Sequence, residues 1–546
     1  MAGVRLSSFG GIAPRINPRL LPESAAQDAA NLELESGTIE ALREDEPVGA
    51  TAGVGGGTKT IFRLTDTKWA TSSLELDFAR SPVEEDEWDR VYWTGDSFPK
   101  MSDLATAVAG MGPYPAGYYR LGIPRPASNV TTAVSGTADD GAVASERAYI
   151  FTYVSQYGEE GPPSVAALSD VILVAEGQTT ELTFPANPSG NYNLITKRIY
   201  RSDPDGVFRF VADVGIAQST YNDTVLDANL GEAVPSGDWD APPDDVTADH
   251  PGGPLEGLIM LADGSACGFT GNTLCFSEQN LPHAWPERYQ HVTESGIVGV
   301  VETRRGVVVV TEGKPYMVYG TSPDARTPEQ IDDPRGCVSK RSLVDMGDYA
   351  LYATSEGILL AGGGEKAENI TRGILSPEQW RAGYEPSSIH AYFWEDKYVA
   401  FYDDGAGNSG GFILDPRGGE AAFIPLDFYA QCGYYDREEG ALYLVIDGAL
   451  VRFARAATRR AASWKSKVFR VLRPICPGAA KVAGSAYPIT FKLWADGVLK
   501  HTETVADASF FRLPSGYKAH EFEIELSAVT GRIDEVAVGE SPSERF

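Results

Sequence analysis

The segment Gly407-Asn408-Ser409-Gly410-Gly411 spells GxSxG, the pattern of a serine nucleophile elbow. An elbow sits on a strand-to-helix turn, with an acid and a histidine following in the chain. Here Phe412-Ile413-Leu414 follows and reads as a strand, while the glycines and Asn408 suit a hairpin tip. Gly53-Val54-Gly55-Gly56-Gly57-Thr58-Lys59-Thr60 comes nearest to a phosphate loop, but Thr58 stands where a Walker A loop requires glycine. Thr60-Ile61-Phe62 continues as a strand, so no helix N-terminus follows to receive phosphate. The reading is a flexible loop.

The six histidines (His250, His283, His291, His390, His501, His520) form no HExxH motif and no zinc-like spacing with cysteine. His283 lies in the compact turn Leu281-Pro282-His283-Ala284-Trp285-Pro286, where packing is the expected role. Asp203-Pro204-Asp205-Gly206 alternates carboxylates as calcium loops do, but lacks the later glutamate and reads as a β-turn. Glu84-Glu85-Asp86-Glu87 with Asp89 reads as a solvated loop. Propeller glycosidases use paired carboxylates, but among 76 acids no pair is distinguished. No catalytic, metal or cofactor-binding residue is assigned, and a non-enzyme is expected.

Charge narrows the partners. Lys and Arg total 46 against 76 Asp and Glu, a net −30 over 546 residues. Gripping nucleic acid by its phosphates requires a basic face, which this balance disfavours. The clearest local exception runs from 452 to 473: Arg452, Arg455, Arg459, Arg460, Lys465, Lys467, Arg470 and Arg473, with no acid between them. It reads either as a solvated linker or as a docking surface for an acidic neighbour or a local DNA contact. Five scattered cysteines without CxxC suit free thiols in a reducing compartment. Residues 1–11 lack the apolar core of a secretory signal, and no apolar run has the length of a membrane span.

The elements that must position these residues are strands. An apolar fraction of 42% excludes a disordered chain. Gly and Pro make up about 17% of residues against roughly 12% on average, so turns are frequent. The expected class is all-β: a β-propeller with an inserted fibronectin type III or immunoglobulin-like β-sandwich and a small C-terminal β-sandwich. The boundaries are 1–123 for an N-terminal segment with the first propeller strands, 124–245 for the insert, 246–463 for blades and 464–546 for the last sandwich. The Pro-rich joints Ile123-Pro124-Arg125-Pro126 and Ala241-Pro242-Pro243 bracket the insert. A short Ala-rich helix is expected from about 22 to 30.

Several strips in this order resemble structural proteins of tailed bacteriophages. Phe9-Gly10-Gly11-Ile12 with Pro14, Leu21, Pro22, Ala25, Ala26, Ala29, Asn31, Gly37 and Ile39 resembles their opening. Tyr92-Trp93-Thr94-Gly95 with Pro99-Lys100, Thr270-Gly271-Asn272, Phe276-Ser277-Glu278, Pro282 to Pro286 and Thr311 to Tyr316 continue the likeness. Each strip is mostly turn punctuation; together they span most of the chain. The chain is most similar to the tail nozzle of short-tailed phages, also called tail tubular protein B or packaged-DNA stabilisation protein. That resemblance implies a virion protein without catalytic residues, most simply a homohexamer. It would meet adaptor and portal rings and tail fibres or spikes, and double-stranded DNA would pass through its lumen without specific binding. No cofactor and no membrane insertion are implied. An alternative is a phage adhesin or fibre-docking protein whose insert binds a partner or host glycan; the sequence does not single out the aromatics that would stack on a sugar, though Tyr114, Tyr118 and Tyr119 form a dense run.

Overall fold

The computed structural model describes residues 3–248, 250–362, 366–417, 422–527 and 531–541. Strand accounts for 43% and helix for 6%, so the protein is all-β. Two compact units divide the chain: 1–73 with 303–317 and 330–546, and 74–302 with 318–329.

Three four-stranded antiparallel meanders in the first unit have the form of propeller blades. One contains Val344–Asp345, Ala350–Thr354, Gly357–Ala361 and Glu368–Asn369. The next contains His390–Trp394, Lys397–Asp403, Ser409–Asp415 and Ala422–Leu426. The third, Cys432–Asp436, Ala441–Ile446 and Ala449–Arg452, takes its fourth strand, Glu46–Pro47, from near the chain start. Inner strands such as Ala350–Thr354 are buried along their whole length. Their sequences are therefore continuous apolar runs rather than alternating ones. Two-residue hairpins at Glu395-Asp396 and Asp447-Gly448 place both residues at positive φ, the type I′ geometry that matches strand twist.

The C-terminal sandwich of this unit is built from both ends of the chain. One sheet joins Gly3–Leu6, Leu32–Glu33 and Ile39–Ala41 to Arg532–Gly539, Ala479–Gly484 and Phe511–Arg512. The other joins Ala26–Ala30 to Ser463–Ser466, Phe469–Ile475, Ala519–Ser527, Ile489–Ala495 and Val498–Val505. The expected helix at 22–30 is thus a strand, and the first forty residues complete the last sandwich rather than opening the propeller. Alanine favours helix only weakly, and tertiary pairing overrides it. Ala26 and Ala29 are fully buried, and in the ladder with the partner strand Ala29 pairs with Trp464. Trp464 is itself fully buried, 5.0 Å from the Phe9 ring, and its indole N–H donates to the Gly10 carbonyl at 3.1 Å.

The second unit holds two further four-stranded meanders. One contains Asp77–Arg80, Val91–Thr94, Lys100–Ser102 and Tyr119–Arg120; the other contains Glu256–Met260, Ala266–Thr270, Thr273–Phe276 and His291–Val292. Between them lies the inserted sandwich, with Tyr149–Ser155, Leu194–Ser202 and Phe208–Gly215 in one sheet and Thr131–Ser135, Thr179–Thr183 and Thr220–Asp223 in another. Its two joints run side by side, as an insertion requires. A Cβ on Gly122, whose φ is +90°, would meet Pro242 at 2.3 Å. Tyr149, Phe151, Tyr153, Leu182 and Ile199 fill its core. Beside them Arg201 and Asp223 are wholly buried and paired at 2.5 Å, with the Tyr149 hydroxyl donating to Asp223 at 2.7 Å.

Truncating Trp464→Ala removes the side chain that holds the N-terminal strands in place. We expect a loss of about 3–5 kcal/mol at this site, read as faster amide exchange in Ala26–Ala30 while exchange in Tyr149–Ser155 stays unchanged.

Candidate functional site

The nucleophile-like and phosphate-like motifs sit where the sequence puts them. Ser409 pairs with Asp403 at the mouth of a hairpin, where Asp404 accepts from the backbone N–H groups of Ala406 and Asn408. The glycine run 53–57 is a loop ahead of strand Thr60–Arg63, and the Thr58 hydroxyl accepts from Gly55 N–H at 2.9 Å. Asp203 closes a turn by accepting from the Asp205 and Val207 N–H groups and pairs with Arg209 at 2.6 Å. Among the described residues no group of three or more His, Cys, Asp or Glu could hold a metal ion. The five thiols are free, four of them buried; Cys267 and Cys275 lie on adjacent strands out of register, Cys267 opposite Phe276. No helix of the described residues is long and apolar enough to cross a membrane.

Two expectations need correction. The acidic run at 84–89 is not wholly solvated, because Asp86 binds Arg90 at 2.7 Å and both side chains are buried. Arg90 also reaches Glu159 at 2.8 Å, and Glu159 approaches His283. Its neighbour Glu160 accepts from Thr152, Tyr200 and Arg198. The turn Gly158-Glu159-Glu160-Gly161 is therefore a buried polar hub. The tyrosine run 114–119 also divides: Tyr114 is buried, whereas Tyr118 is exposed and lies against Lys100.

The basic stretch 452–473 finds much of its complement within the chain. Arg452 pairs with Glu46 and Glu439, Arg459 with Glu40 and Arg460 with Asp45. Residues 40–46 thus run against 452–460 as an acidic strip against a basic one, with Arg43 bridging Arg459 through the backbone. Burial of Asp45 raises its pKa despite Arg460, so desolvation there outweighs the pairing. Arg460 also stacks over Phe428 at 3.9 Å. Lys465 pairs with Glu523 at 2.5 Å, and Arg455 donates to the Gly440 carbonyl. The sequence alone could not match Glu40, Asp45 and Glu46 to their partners, which lie some four hundred residues away.

Lys467, Arg470 and Arg473 are placed differently. They line a cleft of about 760 Å3 at the mouth of the C-terminal sandwich. Strand Phe469–Ile475 sits at the margin of its sheet, and its register jumps from Arg470↔Glu521 to Ile475↔Ala519. Four residues then face His520 alone, and the strand arches outward. On the opposite wall strand Gly3–Leu6 pairs, among the described residues, with Arg532–Gly539 alone. The floor is apolar: Leu493, Phe522, Ile524 and Val538, all buried. Arg19 clamps Glu521 through two bonds of 2.8 and 3.0 Å, which hold that carboxyl below its usual range. Arg5 pairs with Glu535 at 2.6 Å. With guanidinium, ammonium and carboxylate groups around an apolar floor, the cleft offers recognition chemistry. Arg5, Arg19 and the free strand margin are residues that composition could not single out.

No protein-family model matches the sequence, and no curated protein matches it. Among solved structures, the chain has 12% identity to PorZ of the type-IX secretion system of Porphyromonas gingivalis, covering 64% of this chain and 46% of that one, with a TM-score of 0.27. It has 10% identity to YCF48 from Cyanidioschyzon merolae, over 83% of this chain and 99% of that one, with a TM-score of 0.23. It has 10% identity to Sqt1 of Saccharomyces cerevisiae, over 69% and 94%, with a TM-score of 0.25. The chain spans under half of PorZ.

Reversing Arg459→Glu and Arg460→Glu together should destabilise the isolated chain, since Glu40 and Asp45 lose partners and gain like charges. The expected loss is roughly 1–3 kcal/mol for these partly exposed pairs, checked by chemical denaturation of the first unit's tryptophan signal. Burial also lowers the pKa of His283 and His390, so both are neutral in the fold. The unfolded chain takes up their protons below about pH 6.5. Stability should therefore fall as pH drops from about 7 towards 5.5, and His390→Phe should flatten that fall in a thermal melt series.

Proposed function

We propose that this chain is a structural subunit of a virion tail nozzle, a closed ring below the portal that retains packaged DNA and conducts it at ejection. The observation that carries the reading is the pairing of an acidic composition with the order of strips that resembles the nozzle family. A conduit must not bind its cargo. An acidic wall repels phosphate and leaves the duplex free to slide. A hexamer would carry −180 formal charges, so contacts between subunits must be apolar or locally basic. Blade-like meanders with a sandwich insert suit a subunit that lines a lumen and presents a module outward.

One observation favours a second role for the insert, docking of a fibre or host-surface partner. Val143, Val165, Leu168 and Leu173 are 88, 69, 95 and 64% exposed. Leu173 lies on the two-stranded sheet Ser145–Arg147 and Ile172–Val174, and the other three lie in the segments leading into its two strands. Exposed apolar side chains that form one contiguous patch mark interaction sites.

Native mass spectrometry and negative-stain averaging of the purified chain should show a closed ring with a central hole wide enough for a DNA duplex. The ring should leave labelled duplex unshifted at about 150 mM salt. A monomer at every concentration, or tight duplex binding, would defeat the reading.

A further inference from the structure

The cleft of the C-terminal sandwich has features that its own fold does not use. Leu472 is fully exposed, between Arg470 at 73% side-chain exposure and an exposed Arg473. An apolar side chain held out between two cations on an arched strand gains nothing from intramolecular packing. Among the described residues, no strand pairs with the outer margin of Phe469–Ile475 or of Gly3–Leu6. Strand margins of this kind are templates for another chain and are ordinarily covered or blocked. Between them lie the buried floor and the half-buried walls of Val4, Phe469, Val471 and Ile475.

We propose that the cleft receives an extended segment of another protein in which apolar residues alternate with Asp or Glu. Added as a strand along Phe469–Ile475, such a segment projects alternate side chains to opposite faces. Its apolar set then covers the floor around Phe522 and Val538, and its carboxylates meet Lys467, Arg470 and Arg473. Charge selects the occupant. On this wall Arg470 lies 4.0 Å from Glu521 and the Lys467 ammonium donates to the Leu21 carbonyl, so the three cations have little acidic complement in a chain that is otherwise strongly acidic. A basic segment would instead meet Glu23 and Glu540 at the rim. This proposal does not depend on the ring reading.

The test uses the full chain and a fluorescein-labelled ten-residue peptide of alternating Val and Glu, followed by anisotropy. Alternating Val and Lys, and alternating Gly and Glu, are the comparison peptides. Saturable binding of the Val-Glu peptide is expected, at least tenfold tighter than either comparison. It should weaken tenfold or more in Arg470→Glu with Arg473→Glu, and also in Leu472→Asp. All three positions are exposed, so unchanged circular dichroism and melting will show that the fold persists. Absence of binding, equal binding of the Val-Lys peptide, or full binding by the variants overturns the proposal. So does self-association of the purified chain that the same variants abolish, since the occupant would then be a second copy.

Discussion

A chain with thirty excess negative charges can bury a carboxylate only where a cation goes with it. Taking an ion out of water costs several kcal/mol, and an unpaired buried charge is not tolerated. The structure meets this constraint with arginine at nearly every such point. Asp223 has Arg201, Glu159 has Arg90, Asp436 has Arg63, and Asp333 has Arg335. Arginine suits the task because its planar fork satisfies several acceptors at once and stays charged. Arg63 joins Asp436 and Glu439, and Arg201 joins Asp223 and Asp227. With 46 basic residues against 76 acids, the placing of each cation becomes informative.

The same economy ties the ends of the chain together. The acids at 40, 45 and 46 have cations at 459, 460 and 452 as partners, so electrostatics aligns the N-terminal segment along the strip that precedes the last sandwich. Apolar packing then fixes what charge has aligned. Strand Ala26–Ala30 lies on Ser463–Ser466, and Ile39 packs in the sheet with Ile533. Contacts between residues hundreds of positions apart cost loop entropy to form. Once made, they leave neither end of the chain an independent unit.

Much of the architecture was legible because strands and turns are local. The insert's joints, the hairpin tip at Ser409 and the loop at 53–57 follow from prolines, glycines and short apolar runs. What was hidden was pairing over distance. Alanines at 25, 26, 29 and 30 are locally good helix formers; only a partner strand with Trp464 makes them extended. The buried hub at Glu159 and Glu160 looked like any polar turn, because sequence does not reveal that Arg90 and Arg198 converge on it. The basic stretch was legible as a cluster, while its division into stitched and unstitched residues needed coordinates.

That division decides where a partner is to be sought. Arg452, Arg459, Arg460 and Lys465 already have carboxylates, so a docking protein would have to displace existing pairs to use them. Exposed pairs of this kind are individually weak, but displacing several at once while keeping the fold intact is costly. Lys467, Arg470 and Arg473 are less engaged: Arg470 makes a long contact of 4.0 Å with Glu521, and Lys467 donates to the Leu21 carbonyl. They border a floor that is already desolvated on one side, where an added apolar residue gains about 25 cal/mol for each Å2 it removes from water. A carboxylate arriving with it meets guanidinium in a partly dehydrated setting, where pairing is stronger than on open surface. Apolar contact and charge therefore act in the same direction at this cleft, whereas along the rest of the basic stretch they compete.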